Sequence, residues 1–191
     1  MKPFILKETN TGYCSYGIED EMFSNRKIFC IGEINAESVN SMILQLMYLE
    51  SQDTEQPITI YINSPGGEVS SGLALYDVMN AISCPIYTVC VGIAASMGAV
   101  IFAAGDRREM LTHSKIMIHD PLTNNISGNA LQVQYLSDEL MKTREIIAGI
   151  LAKYSHKTID EVLSKTQKDC YFSADAAIKF GLADCLVKTL R

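Results

Sequence analysis

The sequence predicts an α/β fold in which repeated β-α units surround a parallel sheet. Short apolar, β-branched segments alternate along the chain with segments of helical spacing, and turns containing Gly, Asn and Ser separate them. The 191 residues, 48% of them hydrophobic, are enough for one well-buried domain and few for two. We therefore expect a single domain over residues 1–191.

Composition argues against several classes of partner and site. The net charge of −6 is spread along the chain, so neither a nucleic acid nor a membrane surface is expected as a partner. No leader-like N-terminus and no uninterrupted apolar segment of about eighteen residues occurs, so we expect a cytoplasmic protein. The six cysteines lack metal-ligand spacing, and we expect no disulfide, metal or other cofactor.

The N-terminal half of the chain predicts an arm followed by two β-α units. Residues 1–24 mix Asn, Thr, Gly and Ser with charges, and we expect an irregular, mobile segment. The predicted elements that follow are strands over 27–31 and 57–62, a turn over 63–67, and helices after the capping residue Asn35 and over 69–79. The apolar face of the first helix is predicted to comprise Val39, Met42, Ile43, Leu46 and Met47.

The C-terminal half continues the alternation. A strand over 86–91 leads through a turn into an apolar helix over 99–104, and a short strand over 116–118 follows. Ser173 is predicted to cap a last helix that ends before Gly181. Between these elements, a long helix over 127–154 is predicted to carry an apolar stripe of Leu136, Leu140, Ile147, Leu151 and Tyr154.

A serine at the strand-to-helix corner 92–98 is the first candidate for chemistry. Small neighbours would let a substrate carbonyl approach the Ser96 hydroxyl, and the Met97 amide would point toward a developing oxyanion. The alternative is a packing turn in which Ser96 only caps the next helix. In the preceding predicted turn, Gly66 and Gly67 would expose backbone amides to a ligand, although an ordinary Pro-Gly turn has the same residues.

Three histidines are candidates for the base that a nucleophilic serine needs. His156 lies in a polar segment and His113 in a predicted turn, whereas His119 follows an apolar strand. The carboxyl end of a strand is where a β-α architecture presents functional side chains, so His119 is our candidate. The alternative is a structural histidine with satisfied hydrogen bonds.

A carboxylate would complete such a set. Asp169 lies between a polar helix end and the aromatic pair Tyr171-Phe172, which could bury it. Asp120 and Asp175 are its rivals, and the helix dipole alone explains Asp175 in the first turn of a helix.

Ordered motifs extend over most of the chain. They are Ile62–Gly67, Gly92–Ala99, Met117–Pro121, Asp169 with Phe172–Ala174, and Gly181–Asp184. Together they resemble the proteolytic subunit family of the Clp protease, ClpP, from about Pro3 to the C-terminus. The resemblance implies the ClpP/crotonase-like fold, with a long projecting handle helix in the region 122–155. An acyl-CoA enzyme of the related crotonase fold is an alternative, against which the Ser, His and Asp set argues.

The resemblance implies a serine endopeptidase with a Ser-His-Asp triad. It makes Ser96 the nucleophile, His119 the general base and Asp169 the group that orients the imidazole. The other site residues that it implies are Gly67 and Met97 for an oxyanion hole, and Gly66, Pro121 and Leu122 for substrate binding.

The same resemblance implies an assembly. The handle would join two heptameric rings into a tetradecamer that encloses the serines, with the N-terminal arm near axial pores. Because the chain has no phosphate-binding loop of its own, an AAA+ Clp ATPase unfoldase would supply unfolded polypeptide. The alternative is a weakly active or regulatory paralogue that co-assembles with another ClpP subunit.

Several positions depart from the family pattern and motivate that alternative. Ile93, Asp120 and Thr123-Asn124 lie beside the expected substrate strand. Gln167 and Lys168 replace a charged pair at the ring contact. Thr59 and Glu109 replace aromatics in the pocket for the unfoldase's loop.

Overall fold

A seven-stranded sheet with helices packed against it forms the core of the computed structural model, which describes residues 3–10, 12–123 and 127–190. The strands are β1 (Phe4–Thr9), β2 (Gly12–Gly17), β3 (Lys27–Ile34), β4 (Ile58–Gly67), β5 (Ile86–Ala95), β6 (Arg107–Met110), β7 (Lys115–Ile118), β8 (Cys170–Ser173) and β9 (Cys185–Leu186). The helices are α1 (Ile18–Ser24), α2 (Ala36–Gln52), α3 (Val69–Ala81), α4 (Met97–Ala103), α5 (Ala130–Ser155), α6 (Ile159–Thr166) and α7 (Ala174–Phe180).

The sheet is mostly parallel because helices connect its successive strands. Its order is β3-β4-β5-β6-β9, and β7 pairs in parallel with the end of β5. Among the described strands of this sheet, β7 and β8 form the one antiparallel pair. The predicted α/β class with a parallel sheet is confirmed.

The core lies where α4 packs on β4 and β5. All residues of α4 are buried, which explains why this helix has no polar face. In α2 the buried residues are Val39, Met42, Leu46 and Leu49. The prediction that Met47 belongs to this face is wrong, since Met47 is 57% exposed and lies about 100° around the helix from Leu46.

The predicted turn over 63–67 is wrong, because these residues continue β4. A register shift between Ile31 and Glu33 lets β3 pair with the last residues of β4, at Gly66 and Gly67. Both glycines have positive φ, +95° and +153°, which side chains other than glycine rarely adopt. Glycine therefore permits an extended but distorted strand here.

The irregular conformation expected for the N-terminal arm is also wrong over its described residues. β1 and β2 form an antiparallel hairpin, and α1 follows directly. Phe4, Leu6 and Tyr13 in this hairpin are exposed, so backbone pairing rather than burial accounts for its order. Mixed polar composition gave no signal for this pairing.

The helix α5 has two different halves. Every residue from 130 to 138 is exposed, whereas Ile147 and Leu151 are buried. The predicted apolar stripe is thus part of the core only toward its C-terminal end, and Leu136 faces solvent. No helix within the described ranges has the length and apolarity required to cross a membrane.

Candidate active site

Strand register brings His119 and Asp169 together. Antiparallel pairing of β7 with β8 sets Ile118 opposite Cys170. His119, which follows Ile118, therefore faces Asp169, which precedes Cys170. His119 Nδ1 lies 3.5 Å from Asp169 Oδ1. The His119 side chain is 14% exposed and that of Asp169 59% exposed, so the imidazole is enclosed and the carboxylate faces solvent.

A second register brings Ser96 to the same histidine. Ala95 at the end of β5 pairs in parallel with Met117, and the Ser96 N–H donates to the Met117 carbonyl at 2.9 Å. His119 Nε2 lies 2.9 Å from Ser96 Oγ. An imidazole protonated on Nδ1, facing the carboxylate, can accept the serine proton at Nε2.

The backbone at Ser96 is held in an unusual conformation. Its φ is +54° and its ψ −122°, and its side chain makes no cap hydrogen bond to α4. The structure therefore contradicts the alternative in which Ser96 only caps α4. A Cβ on Gly66 would lie 2.6 Å from Ser96 Cβ and 2.7 Å from the Ala95 carbonyl oxygen. This close approach therefore requires glycine at position 66.

The backbone at Met97 and Gly67 lies beside the Ser96 cavity. Met97 is the first residue of α4, where an N–H has no partner within the helix. Gly67, at the end of β4, lines the same cavity as Ser96 and Met97. Ser64 Oγ donates to the Gly32 carbonyl at 2.6 Å and accepts from the Gly66 N–H at 3.1 Å, which fixes the course of β4 here.

The cavity beside Ser96 has a volume of about 230 Å³ and a largely apolar lining. Of the residues predicted for substrate binding, Pro121 and Leu122 line it, whereas Gly66 packs against the Ser96 corner. The remaining lining residues, which sequence reasoning missed as site residues, are Pro65, Val69, Met117, Ile118, Ile147 and Leu151. Apart from Pro65, which lies in the predicted turn, these residues show only apolar periodicity, and a core position shows the same pattern.

The rival titratable residues lie elsewhere in the fold or bind other groups. His156 is the left-handed C-cap of α5, and Asp175 lies in the first turn of α7, which Ser173 caps as predicted. Asp120 accepts a hydrogen bond from Arg144 Nε at 2.7 Å.

A sequence profile described as Clp protease matches residues 10–189. The chain belongs to the Clp protease family. The resemblance drawn from the motifs is therefore confirmed, and membership implies a serine peptidase. The match covers the seven-stranded sheet, the cavity and α5, and it begins after β1.

The positions identified as departures from the family pattern lie in different parts of the fold. Gln167 and Lys168 are exposed after α6. Thr59 and Glu109 line a groove of about 550 Å³, and Glu109 Oε1 accepts from Arg107 Nε at 2.7 Å. Ile93 donates its N–H to Asn63 Oδ1 at 3.2 Å.

The cysteines differ in burial. All six cysteines are free thiols, and burial raises the pKa of Cys30 to about 11, which keeps it protonated. Within the described ranges, no three His, Cys, Asp or Glu side chains are grouped to hold a metal.

Proposed function

We propose that this Clp protease is a serine endopeptidase that cleaves unfolded polypeptides inside a double-ring particle fed by an AAA+ unfoldase. The observation that carries the proposal is the 2.9 Å contact between His119 Nε2 and Ser96 Oγ. Asp169 stands on the other side of the same imidazole, 3.5 Å from Nδ1. This order of groups is the one that nucleophilic serine catalysis requires.

The chemistry follows from these positions. Ser96 Oγ attacks the peptide carbonyl carbon while His119 Nε2 takes its proton, and Asp169 stabilises the imidazolium that forms. The Met97 and Gly67 amides receive the developing oxyanion. His119 then protonates the leaving amine, and a water molecule activated by the same imidazole hydrolyses the acyl-enzyme. Loss of one oxyanion donor typically costs about 10²–10³ in rate.

The exposed half of α5 supports the assembly part of the proposal. Leu131, Tyr135 and Met141 expose large apolar surfaces to solvent on one helix that extends beyond the core. Exposed apolar residues in such number on one helix are typical of an interaction surface. A handle that pairs two heptameric rings would cover them and enclose the serines in a chamber.

A regulatory paralogue is the second candidate function. The Arg107 and Glu109 ion pair lies in the groove where the family receives the unfoldase's hydrophobic loop. Docking of an apolar loop there would remove water from both charges, which is unfavourable. Gln167 and Lys168, which stand where the family has a charged pair at the ring contact, are exposed and cannot form that pair, because Gln carries no charge. In this second function the chain acts in a mixed particle with another ClpP subunit.

Activity and mass of the purified chain separate the two functions. Wild-type protein should cleave a short fluorogenic peptide at a mass near that of a tetradecamer, and Ser96→Ala should abolish cleavage. Ser51→Ala, on the exposed surface of α2, should retain it as the matched control. A wild-type particle that turns over no peptide until a second ClpP subunit is added would favour the paralogue. Retained turnover in Ser96→Ala would reject the serine mechanism.

A further inference from the structure

An ion pair joins the residue after His119 to the long helix. Arg144 Nε of α5 donates to Asp120 Oδ2 at 2.7 Å. The two side chains are only 21% and 29% exposed, so solvent screens this pair less than it screens a surface pair. The contact spans 24 residues of sequence and ties the end of β7 to α5.

The backbone of Asp120 makes a second connection. Its N–H donates to the Thr166 carbonyl at 2.8 Å, and Thr166 is the buried last residue of α6. The chain reaches Asp169 three residues later. One residue therefore fastens the segment carrying His119 to α5 through its side chain and to the segment carrying Asp169 through its backbone.

We infer that Asp120 and Arg144 are positioning residues that keep the His119 imidazole aligned between Ser96 and Asp169. The inference rests on the proposed peptidase function. Antiparallel pairing of β7 with β8 stops at Ile118 and Cys170, so His119 itself lies beyond the last paired residue. The Asp120 contacts supply the restraint that the sheet no longer provides, and neither residue touches the reacting atoms.

Removal of the ion pair between Asp120 and Arg144 should lower kcat and leave KM nearly unchanged. A displacement of about 1 Å in a catalytic group can cost around a hundredfold in rate. The apolar cavity that would hold the substrate side chain is lined by neither Asp120 nor Arg144, so substrate binding should be little affected. A purely structural ion pair would lower thermal stability or assembly and leave kcat of the assembled particle unchanged.

The test compares kcat and KM of assembled particles on one fluorogenic peptide. Arg144→Met should lower kcat about tenfold with KM within about twofold of wild type, and Arg144→Lys should recover most of that loss. The matched control is Lys142→Met, which removes an exposed cation of the same helix whose partner is Glu139. It should retain wild-type kcat. If Arg144→Met does not assemble, Arg144→Gln serves in the same comparison.

A double-mutant cycle with Asp120→Ala tests whether the two residues act as one unit. If Arg144 acts through Asp120, the double variant should be no slower than the slower single variant. Additive losses, or a kcat for Arg144→Met equal to that of Lys142→Met, would overturn the inference while wild-type activity and inactive Ser96→Ala left the proposed function intact. A wild-type particle without turnover would remove both.

Discussion

Ile118 of β7 pairs with Cys170 of β8, and this single register makes His119 and Asp169 neighbours across the strands. The pair is formed by two four-residue strands at the edge of an otherwise parallel sheet. Residues separated by 50 positions in the sequence thus meet because of strand direction rather than of a local motif. The proposed catalysis depends on that meeting and on the cavity beside it.

Asp169→Asn should slow peptide cleavage far more than Asp175→Asn does. Removing the charge beside His119 Nδ1 destabilises the imidazolium that forms during attack, and we expect kcat to fall by about 10² or more. The side chain is 59% exposed, so we expect the loss to stay below the ~10⁴ that a buried carboxylate at this place produces. Steady-state kinetics on a short peptide measures both variants, and equal rates would contradict the assignment of Asp169.

Gly66→Ala should inactivate the site, whereas Gly149→Ala should not. The new methyl group at residue 66 would overlap Ser96 Cβ and the Ala95 carbonyl, so Ser96 must move. We expect a loss of about 10² in kcat/KM, of the size that a 1 Å displacement produces. At Gly149 of α5 an added Cβ meets no atom within 4 Å and should increase helix stability by up to about 1 kcal/mol. Full activity of Gly66→Ala at an unchanged Tm would contradict this account.

Apolar spacing in the sequence predicts the alternation of strands and helices. The strands β3, β4 and β5 nevertheless end at Ile34, Gly67 and Ala95, three to five residues beyond their predicted ends. Cap residues such as Asn35 and Ser173 also lie where expected, because capping is a local property that short spacing reveals. The strand-to-helix corner indicates Ser96 and the end of a strand indicates His119, and the ordered motifs group both with Asp169. Their distances depend on two strand registers, which no local pattern specifies.

Contacts between residues that are distant in the sequence could not be predicted. The extension of β4 through Gly66 and Gly67 depends on a register shift in β3, and a Pro-Gly-Gly segment looks like a turn without that partner. The pairing of Asp120 with Arg144 required α5 to pass over the end of β7, which the sequence does not show. The sequence likewise does not show that Val69 lines the cavity, because this depends on how distant elements pack together.

The cavity predicts a preference for peptides with an apolar residue at the cleaved bond. Val69, Ile147 and Leu151 line it, and burial of a Leu side chain there is worth about 1.5–3 kcal/mol. Peptides with Leu should therefore be cleaved about ten times or more faster than those with Lys. Val69→Asp should reduce that ratio about tenfold, since it places a carboxylate in the cavity wall. Ser70→Asp, at the exposed residue beside Val69, should leave the ratio of Leu to Lys cleavage unchanged. An equal change of that ratio in both variants would contradict this role for the cavity.

Glu50 predicts a specific acid sensitivity of the fold. Hydrogen bonds from the Ser83 and Cys84 N–H groups lower the pKa of Glu50 to about 2 from its ordinary 4.5. Because the folded pKa is depressed, this stabilisation is complete above about pH 4.5 and is lost as pH falls toward about 2. Glu50→Gln should lower Tm at pH 7 by about 2–4 °C, as for a loss near 1 kcal/mol.

The difference between wild type and Glu50→Gln should shrink as the buffer is taken from pH 5 toward about 2, where the wild-type carboxyl becomes protonated. Glu55→Gln, on the exposed loop after α2, is the matched control and should follow wild type throughout. A Tm difference that is constant with pH would contradict the role given to the Glu50 charge.

Covalent labelling tests the central claim, that His119 activates Ser96, most directly. Wild-type protein is treated with a fluorophosphonate and the adduct is located by peptide mapping. We predict a single adduct on Ser96, formed at least about 10² times more slowly in His119→Ala and at the wild-type rate in His113→Ala. An adduct on another residue, or equal labelling rates in the two histidine variants, would contradict the account.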